Sequence, residues 1–556
     1  MAGGFVPWPG PEATRYRSAG HWRGAPLGHL LREAAAQHGE RTALIDARTR
    51  LTFAGLDTRA DRTAAGLAES GIRPGDRVLV QLPNRVEFAV LLFALFRLGA
   101  LPVLALPGHR ESELKHLAEL SEAVAFVTTD ELEGHDHRPV IRALLEVCPS
   151  LRHTVVIGDP DGVEEAIAYG SLDREPVRLP DPDPSGPAVL LLSGGSTGLP
   201  KLIPRTHDDY AYNARRMAEL CRLGPADVYL AVLPAAHNLP LACPGLLGAL
   251  MSGAATVFAE NASPPEVFPL IERERVTVTA LVPPLAALWS RAVEWVGCDL
   301  AGLRLVQVGG ARLPEPTARI LPDALGCTLQ QVFGMAEGLL CATRLDDPPE
   351  TVATTQGRPV SSDDEIRIVA GDDTAVPDGE TGELLTRGPY TIRGYYRAPE
   401  HNARAFTADG FYRSGDLVRR TPGGDLVVEG RVKEQINRAG EKVSPEEVEH
   451  HLLAHPAVAQ AVVIGVPDDV LGERVCACLL LAPDTTPDAA PDAGQPAGAP
   501  DAAALGEFLR DRGVAAFKRP QQVETVEAWP LTGVGKIDRR ALTVIAADHA
   551  RARVPH

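Results

Sequence analysis

The sequence predicts an α/β fold with a large N-terminal domain of parallel-rich sheets covered by helices, a small β-rich subdomain and a small α/β C-terminal domain. Short apolar segments alternate with segments of helical apolar spacing from about residue 25 to residue 282. The predicted strands are apolar on both faces, which is typical of parallel strands covered by helices. The chain has 556 residues, enough for more than one domain.

The alternation can be followed along the chain. Residues 25–39 have helical spacing and residues 42–46 predict a strand, and residues 60–71 and 77–82 repeat this pair. Residues 88–106 predict a buried helix that passes into a strand. The strands expected from there to residue 282 are 103–105, 124–128, 154–157, 188–192, 228–233, 256–259 and 277–281.

Beyond Gly357 the pattern changes to short strands with Gly and Asp turns, at residues 364–369, 382–386 and 426–429, which favours the β-rich subdomain. A new α/β pattern follows Gly430-Arg431-Val432-Lys433. We therefore predict one domain over residues 1–430 and a second over residues 431–556. Within the second, residues 483–504 are rich in Pro, Ala, Asp and Gly, which indicates a flexible surface insertion.

Composition excludes several classes of protein. A net charge of −18 argues against a nucleic-acid-binding protein, which needs a basic face. The longest apolar stretch is interrupted by Arg97, Gly99 and Pro102, and the first 16 residues lack the basic start and apolar core of a secretory signal. Eight cysteines without framework spacing indicate reduced thiols. The expectation is a cytoplasmic protein that binds neither nucleic acid nor membrane.

One loop has the composition of a phosphate site: Ser193-Gly194-Gly195-Ser196-Thr197-Gly198-Leu199-Pro200-Lys201. Its glycines let backbone N–H groups turn toward one anion, its hydroxyls add donors and Lys201 adds a positive charge. It is not a Walker loop, because Pro200 precedes the lysine and Leu202 follows it. The loop predicts a cradle for a nucleotide triphosphate, with a Gly/Ser-rich surface linker as the alternative.

Four further segments accompany this loop: Val308-Gly309-Gly310-Ala311, Gln331-Val332-Phe333-Gly334-Met335-Ala336-Glu337-Gly338, Tyr412-Arg413-Ser414-Gly415-Asp416 and Pro530-Leu531-Thr532-Gly533-Val534-Gly535-Lys536-Ile537-Asp538. Together they resemble the motifs of the adenylate-forming superfamily, which includes acyl-CoA synthetases, luciferases and adenylation domains of nonribosomal peptide synthesis. The resemblance extends from about residue 27 to residue 538. It is greatest to the stand-alone aryl-acid–AMP ligases of siderophore biosynthesis, which activate salicylate or 2,3-dihydroxybenzoate.

The resemblance implies ATP and Mg²⁺ as cofactors. Glu337 is implied as the Mg²⁺ ligand, because Mg²⁺ is commonly held by one or two carboxylates plus substrate phosphates. Phe333 is implied to lie against adenine, where relatives often have tyrosine, and Asp416 with Arg431 to bind the ribose. The implied nucleotide-binding residues are Ser193, Gly194, Gly195, Ser196, Thr197, Gly198, Lys201, Gly310, Ala311, Phe333, Asp416 and Arg431.

The resemblance also implies a mobile C-terminal lid. Lys536 is implied to stabilise charge on the α-phosphate in the transition state. Gly440 is implied to line a pantetheine tunnel in a second lid orientation, reached by rotation about Lys433. His237 resembles the residue that shields the acyl carboxylate in relatives.

The implied aryl-acid pocket consists of Asn238, Cys243, Gln307, Gly309, Val332 and Leu340. An asparagine at position 238, where amino-acid-activating relatives have aspartate, argues against an amino acid substrate. Ligases for the dihydroxy acid tend to have serine in place of Cys243 and valine in place of Leu340, so salicylate is favoured.

The implied reaction forms an aryl-adenylate from ATP and an aryl acid, and then an aryl thioester on the phosphopantetheine arm of an aryl carrier protein. Free coenzyme A is the alternative acceptor, and 2,3-dihydroxybenzoate is the alternative substrate. A non-catalytic nucleotide-binding sensor is a more remote alternative.

Overall fold

The structure is a computed structural model. It describes residues 3–552, apart from residues 110, 133, 194–199, 433–435, 439–440, 444, 469–470, 483–498, 513, 515 and 533–535.

The helices of the described residues are numbered along the chain: α1 (Gly10–Ser18), α2 (Leu27–His38), α3 (Phe53–Glu69), α4 (Val86–Leu98), α5 (Glu111–Ser121), α6 (Arg138–Val147), α7 (His207–Leu220), α8 (Asn238–Ala242), α9 (Gly245–Met251), α10 (Pro264–Glu274), α11 (Pro283–Val296), α12 (Glu315–Leu325), α13 (Pro349–Thr354), α14 (Pro399–Ala405), α15 (Pro445–Leu452), α16 (Ala502–Asp511) and α17 (Arg539–Ala552).

The strands are numbered in the same way: β1 (Thr42–Ile45), β2 (Arg50–Thr52), β3 (Arg77–Val80), β4 (Leu101–Leu104), β5 (Ala125–Thr129), β6 (Glu131–Leu132), β7 (His135–Asp136), β8 (His153–Ile157), β9 (Ile167–Ala168), β10 (Pro187–Leu192), β11 (Leu202–Thr206), β12 (Val228–Ala231), β13 (Ala255–Phe258), β14 (Val278–Leu281), β15 (Leu305–Val308), β16 (Thr328–Gly334), β17 (Leu340–Ala342), β18 (Arg358–Pro359), β19 (Glu365–Val369), β20 (Gly382–Arg387), β21 (Tyr412–Arg420), β22 (Leu426–Arg431), β23 (Ile436–Arg438), β24 (Glu441–Val443), β25 (Val458–Asp468), β26 (Gly472–Leu481) and β27 (Gln522–Thr525).

The largest sheet has nine strands in the order β18-β17-β16-β15-β14-β12-β13-β1-β2. Its pairs from β16 through β1 are parallel, and the pairs at its two edges are antiparallel. Helices α10, α11 and α12 contribute to the apolar core of this sheet, in which Trp289 and Phe268 are buried with their rings edge to face.

A second sheet has seven strands in the order β11-β10-β4-β3-β5-β8-β9, and every pair but β10–β11 is parallel. Helix α4 is buried at every position except Glu87 and leads directly to β4, as predicted. In the described part of the chain, no helix has the length and apolarity needed to span a membrane. Parallel-rich sheets covered by helices confirm the predicted α/β fold class.

Helix α3 begins seven residues earlier than the predicted helix over 60–71. The reason is an N-cap: Thr52 Oγ1 accepts a hydrogen bond from the Gly55 N–H over 3.0 Å, which satisfies one of the free donors of the first turn. Gly55 and Asp57 weaken helical propensity in this turn, so apolar spacing alone placed the start too late.

The chain divides into two compact units. The first comprises Met1–Arg367, Leu385–Arg413 and Gly423–Leu426, and the second comprises Ile368–Leu384, Ser414–Pro422 and Val427–His556. Strands β19-β20-β21-β22 form a four-stranded sheet of the β-rich kind expected after Gly357. Strands β6 and β7 form a short hairpin.

The second unit contains a sheet in the order β24-β23-β26-β25, with β27 parallel to β26. Alternate residues of β25 and β26 belong to two different apolar clusters, as expected for opposite faces of a sheet. Cys476 and Cys478 are both buried in the same cluster as Leu542, so their thiols share a face of the sheet.

The predicted insertion over 483–504 extends too far at its C-terminal end. Residues 483–498 lie outside the described part of the chain. Residues 502–504, however, form the first turn of α16, because Asp501 Oδ1 accepts a hydrogen bond from the Ala504 N–H over 2.7 Å and caps the helix.

Candidate functional site

The predicted phosphate loop connects the antiparallel strands β10 and β11, and two hydrogen bonds close its base. The Ser193 N–H donates to Lys201 O, and the Lys201 N–H donates to Ser193 Oγ, each over 3.0 Å. His116 Nε2 donates to Pro200 O over 2.9 Å. Gly194, Gly195, Ser196, Thr197 and Gly198 lie outside the described residues.

Glu337 lies in the loop between β16 and β17, and its carboxylate is buried against two tyrosines. The Tyr395 hydroxyl donates to Glu337 Oε1 over 2.7 Å, and the hydroxyls of Tyr395 and Tyr412 are 2.8 Å apart. The Lys201 Nζ is 6.0 Å from the centroid of the Tyr395 ring, at the outer limit of a cation–π contact. Tyr395 therefore brings together the lysine of the phosphate loop and the predicted metal ligand.

The protonation state of Tyr395 follows from its surroundings. Burial, and then the negative charge of Glu337, raise the pKa of Tyr395. The phenol therefore keeps its proton at physiological pH, and Tyr395 remains the donor to the carboxylate.

Arg205, at the end of β11, fastens the loop that carries Glu337. Its guanidinium is fully buried, with Nε donating to Asp209 Oδ1 over 2.7 Å and Nη1 donating to Ala336 O over 3.0 Å. Its Cζ lies 4.7 Å from the centroid of the Tyr210 ring. Burial raises the pKa of Asp209, and the charge of Arg205 opposes that shift. A buried ion pair is tolerated when its remaining donors are bonded, and here Ala336 O and Asn213 Oδ1 accept from the two terminal nitrogens of Arg205.

Asn238 begins the short helix α8, and its side chain is held from both ends. The Tyr210 hydroxyl donates to Asn238 Oδ1 over 3.0 Å, and Asn238 Nδ2 donates to Cys243 Sγ over 3.4 Å. His237 precedes α8 at its N-cap, is half-buried, and accepts the Leu241 N–H at its carbonyl over 3.0 Å. The predicted site residues His237, Asn238 and Cys243 thus lie on α8 or directly beside it.

The Cys243 thiol is buried. Asn213 Nδ2 approaches its sulfur at 3.7 Å, in addition to the bond from Asn238. Burial raises the pKa of Cys243 to about 12, so the group is a neutral thiol. It is therefore a small, weakly polar surface for a neighbouring ligand.

Gly309, Val332 and Leu340 form an apolar wall near the carboxyl ends of β15 and β16. A Cβ on Gly309 would lie 2.9 Å from Val332 O and 3.3 Å from Leu239 Cδ2, so glycine is required for this close approach. Leu340 pairs with Gly334 across the β16–β17 hairpin and is buried. Because Leu239 follows Asn238 directly, this wall adjoins α8.

Gln307, also predicted for the pocket, is fully buried and bonds elsewhere. Its Nε2 donates to Gln330 Oε1 over 2.9 Å and to Cys221 Sγ over 3.4 Å. Its Oε1 has no hydrogen-bond partner among the described residues. The structure thus joins Gln307 to Gln330 rather than to Asn238 or Cys243.

Three predicted adenine-site residues lie on neighbouring strand ends. Gly310 has a φ of +84° and is exposed together with Ala311. Phe333 is half-buried on β16, opposite Cys341 of β17. A left-handed φ at position 310 favours glycine and turns the chain away from β15.

The predicted ribose-binding residues are paired within the second unit. Arg431 Nε donates to Asp416 Oδ1 over 2.8 Å, and the Asp416 N–H donates to Ser414 Oγ over 3.0 Å. Gly415 between them has a φ of +71°, which a glycine adopts without strain.

Lys536 is exposed in the second unit, and two hydrogen bonds join its backbone to Thr532. Its N–H donates to Thr532 Oγ1 over 3.2 Å, and its carbonyl accepts the Thr532 N–H over 2.7 Å. Lys433 and Gly440 lie outside the described residues.

Sequence patterns missed three residues of this site, namely Tyr395, Tyr210 and Arg205. The available signals were weak: a tyrosine pair after Gly394, and a cationic residue inside an apolar strand. Neither signal identifies the bonds to Ala336 and Glu337, because those two residues are distant in the chain from Arg205 and Tyr395.

Comparison with known proteins agrees with the motifs. Residues 31–396 match the AMP-binding enzyme family, and residues 447–536 match the AMP-binding enzyme C-terminal domain. The chain belongs to this family.

Two curated proteins similar to this AMP-binding enzyme are named as aryl-acid–AMP ligases. It is 52% identical to the 2,3-dihydroxybenzoate-AMP ligase of Bacillus subtilis, over 98% of this chain and 97% of that protein. It is also 52% identical to the salicyl-AMP ligase / salicyl-S-ArCP synthetase of Mycobacterium tuberculosis, over 97% and 94% of the two chains. The apo structure of MbtA from Mycobacterium smegmatis is 51% identical, covers 97% of this chain and 98% of its own, and superposes with a TM-score of 0.74.

These similarities confirm the predicted class. The AMP-binding enzyme is an adenylate-forming ligase, and its α/β architecture is that of a solved relative. Because one relative is named for 2,3-dihydroxybenzoate and the other for salicylate at equal identity, overall similarity does not choose between the two acids.

Proposed function

We propose that this enzyme uses ATP to convert an aryl acid to its aryl-adenylate, takes salicylate in preference to 2,3-dihydroxybenzoate, and transfers the aryl group to an aryl carrier protein. The biological context is the synthesis of a siderophore or a related nonribosomal peptide. The observation that carries the proposal is the Asn238 side chain. Its Oδ1 accepts one hydrogen bond from Tyr210 and keeps a second lone pair for a hydroxyl ortho to the substrate carboxylate.

ATP would be held by residues from several distant parts of the chain. The phosphates would lie in the 193–201 loop, on Ser193, Gly194, Gly195, Ser196, Thr197, Gly198 and Lys201. Adenine would lie against Phe333, Gly310 and Ala311. The Asp416–Arg431 pair offers one acceptor and several donors to the ribose hydroxyls.

Glu337 fits a Mg²⁺ ligand. It supplies one buried carboxylate, whose Oε1 is oriented by Tyr395. The described residues contain no group of three His, Cys, Asp or Glu side chains that could hold a metal by themselves. A site of one carboxylate completed by phosphate oxygens and water suits Mg²⁺. When bound there, Mg²⁺ would offset the charge on the departing pyrophosphate.

In the first half-reaction, a carboxylate oxygen of the aryl acid attacks the α-phosphorus while the bond to pyrophosphate breaks. Lys536 would stabilise the negative charge that develops on the α-phosphate, and His237 would cover the reacting carboxylate. The rate arises mainly from holding both reactants in line, since the protein provides no nucleophile.

In the second half-reaction, the phosphopantetheine thiol attacks the carbonyl carbon of the adenylate and AMP leaves. We propose that the domain over 431–556 acts as a lid on the domain over 1–430 and turns about Lys433 between the two steps. In the second orientation Gly440 would line the pantetheine tunnel and Lys536 would be withdrawn.

The preference for salicylate rests on two residues. The 3-hydroxyl of 2,3-dihydroxybenzoate would face the Cys243 sulfur, a weak partner that already accepts from two amides. Leu340 would occupy volume that the hydroxyl needs. A poorly paired buried hydroxyl costs about 1–3 kcal/mol, so the preference should be roughly tenfold to a hundredfold.

Pyrophosphate exchange tests the proposal. The panel contains salicylate, 2,3-dihydroxybenzoate, benzoate, anthranilate and several amino acids. We expect the highest specificity constant for salicylate, the dihydroxy acid second and no exchange with amino acids. An absence of exchange with every aryl acid would support the sensor alternative. Initial rates of thioester formation with a phosphopantetheinylated aryl carrier protein and with coenzyme A then identify the acceptor, and faster turnover of coenzyme A would overturn the carrier assignment.

A further inference from the structure

One segment of chain holds Glu337 at both its backbone and its side chain. We call residues 389–397 the Tyr395 segment. The Ile392 N–H donates to Glu337 O over 2.7 Å, and the Tyr395 hydroxyl donates to Glu337 Oε1 over the same distance. The Tyr396 N–H donates to Leu202 O over 2.9 Å, next to Lys201. A displacement of this segment would therefore move the carboxylate relative to the phosphate loop.

Residues 4–8 lie against the other side of the Tyr395 segment and contact it on both flanks of Tyr395. The Arg397 N–H donates to Gly4 O over 3.0 Å. A Cβ on Gly394 would lie 2.7 Å from Val6 Cγ2, so the two segments are in direct contact at Gly394. The Arg393 guanidinium carbon lies 5.7 Å from the centroid of the Trp8 ring.

Residues 4–8 are themselves anchored in the fold. Phe5 packs on the apolar core of the seven-stranded sheet. The Trp8 ring contacts Trp22 edge to face, with centroids 5.0 Å apart, and Trp22 Nε1 donates to Pro389 O over 2.9 Å. This anchorage ties residues 4–8 to the start of the same segment as well as to its end.

We propose that residues 4–8 are a positioning element of the nucleotide site, with Val6 and Trp8 as positioning residues. They hold the Tyr395 segment from outside, so that the Tyr395 hydroxyl keeps the Glu337 carboxylate aimed at the metal and phosphates of bound ATP. The family match begins only at residue 31, so these residues lie outside the part of the chain that it covers. The inference rests on the role of Glu337 in the proposed function.

The test measures the KM for Mg²⁺·ATP and the KM for salicylate separately in a set of variants. Trp8→Ala should raise the KM for Mg²⁺·ATP about three- to tenfold and leave the KM for salicylate unchanged. Calorimetric titration with Mg²⁺·ATP should show the same loss of affinity without turnover. Trp295→Ala is the matched control, because Trp295 is a largely exposed tryptophan on α11, and it should change neither constant.

A double-mutant cycle identifies the route. If Trp8 acts through the Tyr395 hydroxyl, Trp8→Ala should raise the KM for Mg²⁺·ATP little further in a protein that already carries Tyr395→Phe. If the two residues act independently, the free-energy effects of the two substitutions on Mg²⁺·ATP binding should add. Should Trp8→Ala fail to fold, Val6→Ala removes the Cγ2 atom that packs on Gly394 and adds no atoms elsewhere, and it should also raise the KM for Mg²⁺·ATP.

The outcomes are distinct. A lower Tm with an unchanged KM for Mg²⁺·ATP would mean that residues 4–8 only stabilise the fold, and additive effects in the cycle would exclude action through Tyr395. If Tyr395→Phe impairs Mg²⁺·ATP binding while Trp8→Ala and Val6→Ala do not, only the positioning proposal fails. If Tyr395→Phe itself leaves Mg²⁺·ATP binding unchanged, the positioning proposal also fails, and Glu337→Gln, which removes the charge, then tests the metal role of Glu337 by itself.

Discussion

Tyr395 and Glu337, 58 residues apart in the chain, share a buried hydrogen bond of 2.7 Å. Because burial and the carboxylate both raise the pKa of Tyr395, the phenol keeps its proton and donates it in the hydrogen bond to Glu337. The bond occupies one oxygen and orients the carboxylate, whose role can be tested directly.

Glu337→Gln keeps the shape and an acceptor for Tyr395 but removes the charge. We expect the Mg²⁺ concentration that gives half-maximal pyrophosphate exchange to rise about ten- to a hundredfold, with salicylate affinity unchanged in calorimetric titration. Glu294→Gln, an exposed residue on α11, serves as the control. An equal loss of salicylate affinity would remove Glu337 from the metal role.

Lys536→Ala should separate the two half-reactions. Adenylation should fall by about two to three orders of magnitude, as expected when one preorganised donor to the transition state is lost. Single-turnover transfer from preformed salicyl-adenylate to the carrier protein should remain close to that of the unmutated enzyme. If both steps fall equally, Lys536 does not act on the α-phosphate in one lid orientation only.

Cys243→Ser together with Leu340→Val should raise the specificity constant for 2,3-dihydroxybenzoate relative to salicylate about tenfold or more, because a hydroxyl partner replaces a thiol and volume is released. Each single variant should produce part of the change. The measurement is pyrophosphate exchange with both acids. No shift in the double variant, or a preference of the unmutated enzyme for the dihydroxy acid, would show that these residues do not select the substrate.

Asp364→Asn should change how stability depends on pH. The carboxyl is buried, Oδ2 accepts from the Tyr390 hydroxyl over 2.6 Å, and burial raises the pKa of Asp364 from 3.8 to about 7. Between those values the folded protein holds a proton that the unfolded chain releases. Stability contributed by this group is therefore present below pH 3.8 and is lost as pH rises to about 7, by up to about 4 kcal/mol.

The asparagine variant lacks this titration. The measurement is urea unfolding of both proteins at several pH values. The free energy of unfolding of the wild type should fall relative to that of Asp364→Asn as pH rises to about 7. Above that pH the difference between the two proteins should stay constant. Parallel behaviour throughout would mean that Asp364 titrates near its ordinary pKa. Asp323→Asn is the control, because the Asp323 side chain is exposed on α12, away from Asp364 in the chain.

The sequence by itself determined the parts of this protein that depend on local pattern. Apolar runs such as the one over α4 predicted buried helices and parallel strands, because burial on all sides leaves no polar positions in the run. The phosphate loop over 193–201 and the ribose motif over 412–416 could be predicted because their chemical groups lie within a few residues of one another. Local spacing of this kind can be read directly from the sequence.

Tertiary structure alone decided the contacts between distant residues. The bonds of Tyr395 to Glu337, of Tyr210 to Asn238 and of Gln307 to Gln330 join separate elements. The packing of Val6 on Gly394 joins residues from far apart in the chain. No local pattern encodes these pairs, because a buried polar group needs a partner but not one at any particular sequence distance, and only the folded backbone determines which group is near enough to satisfy it.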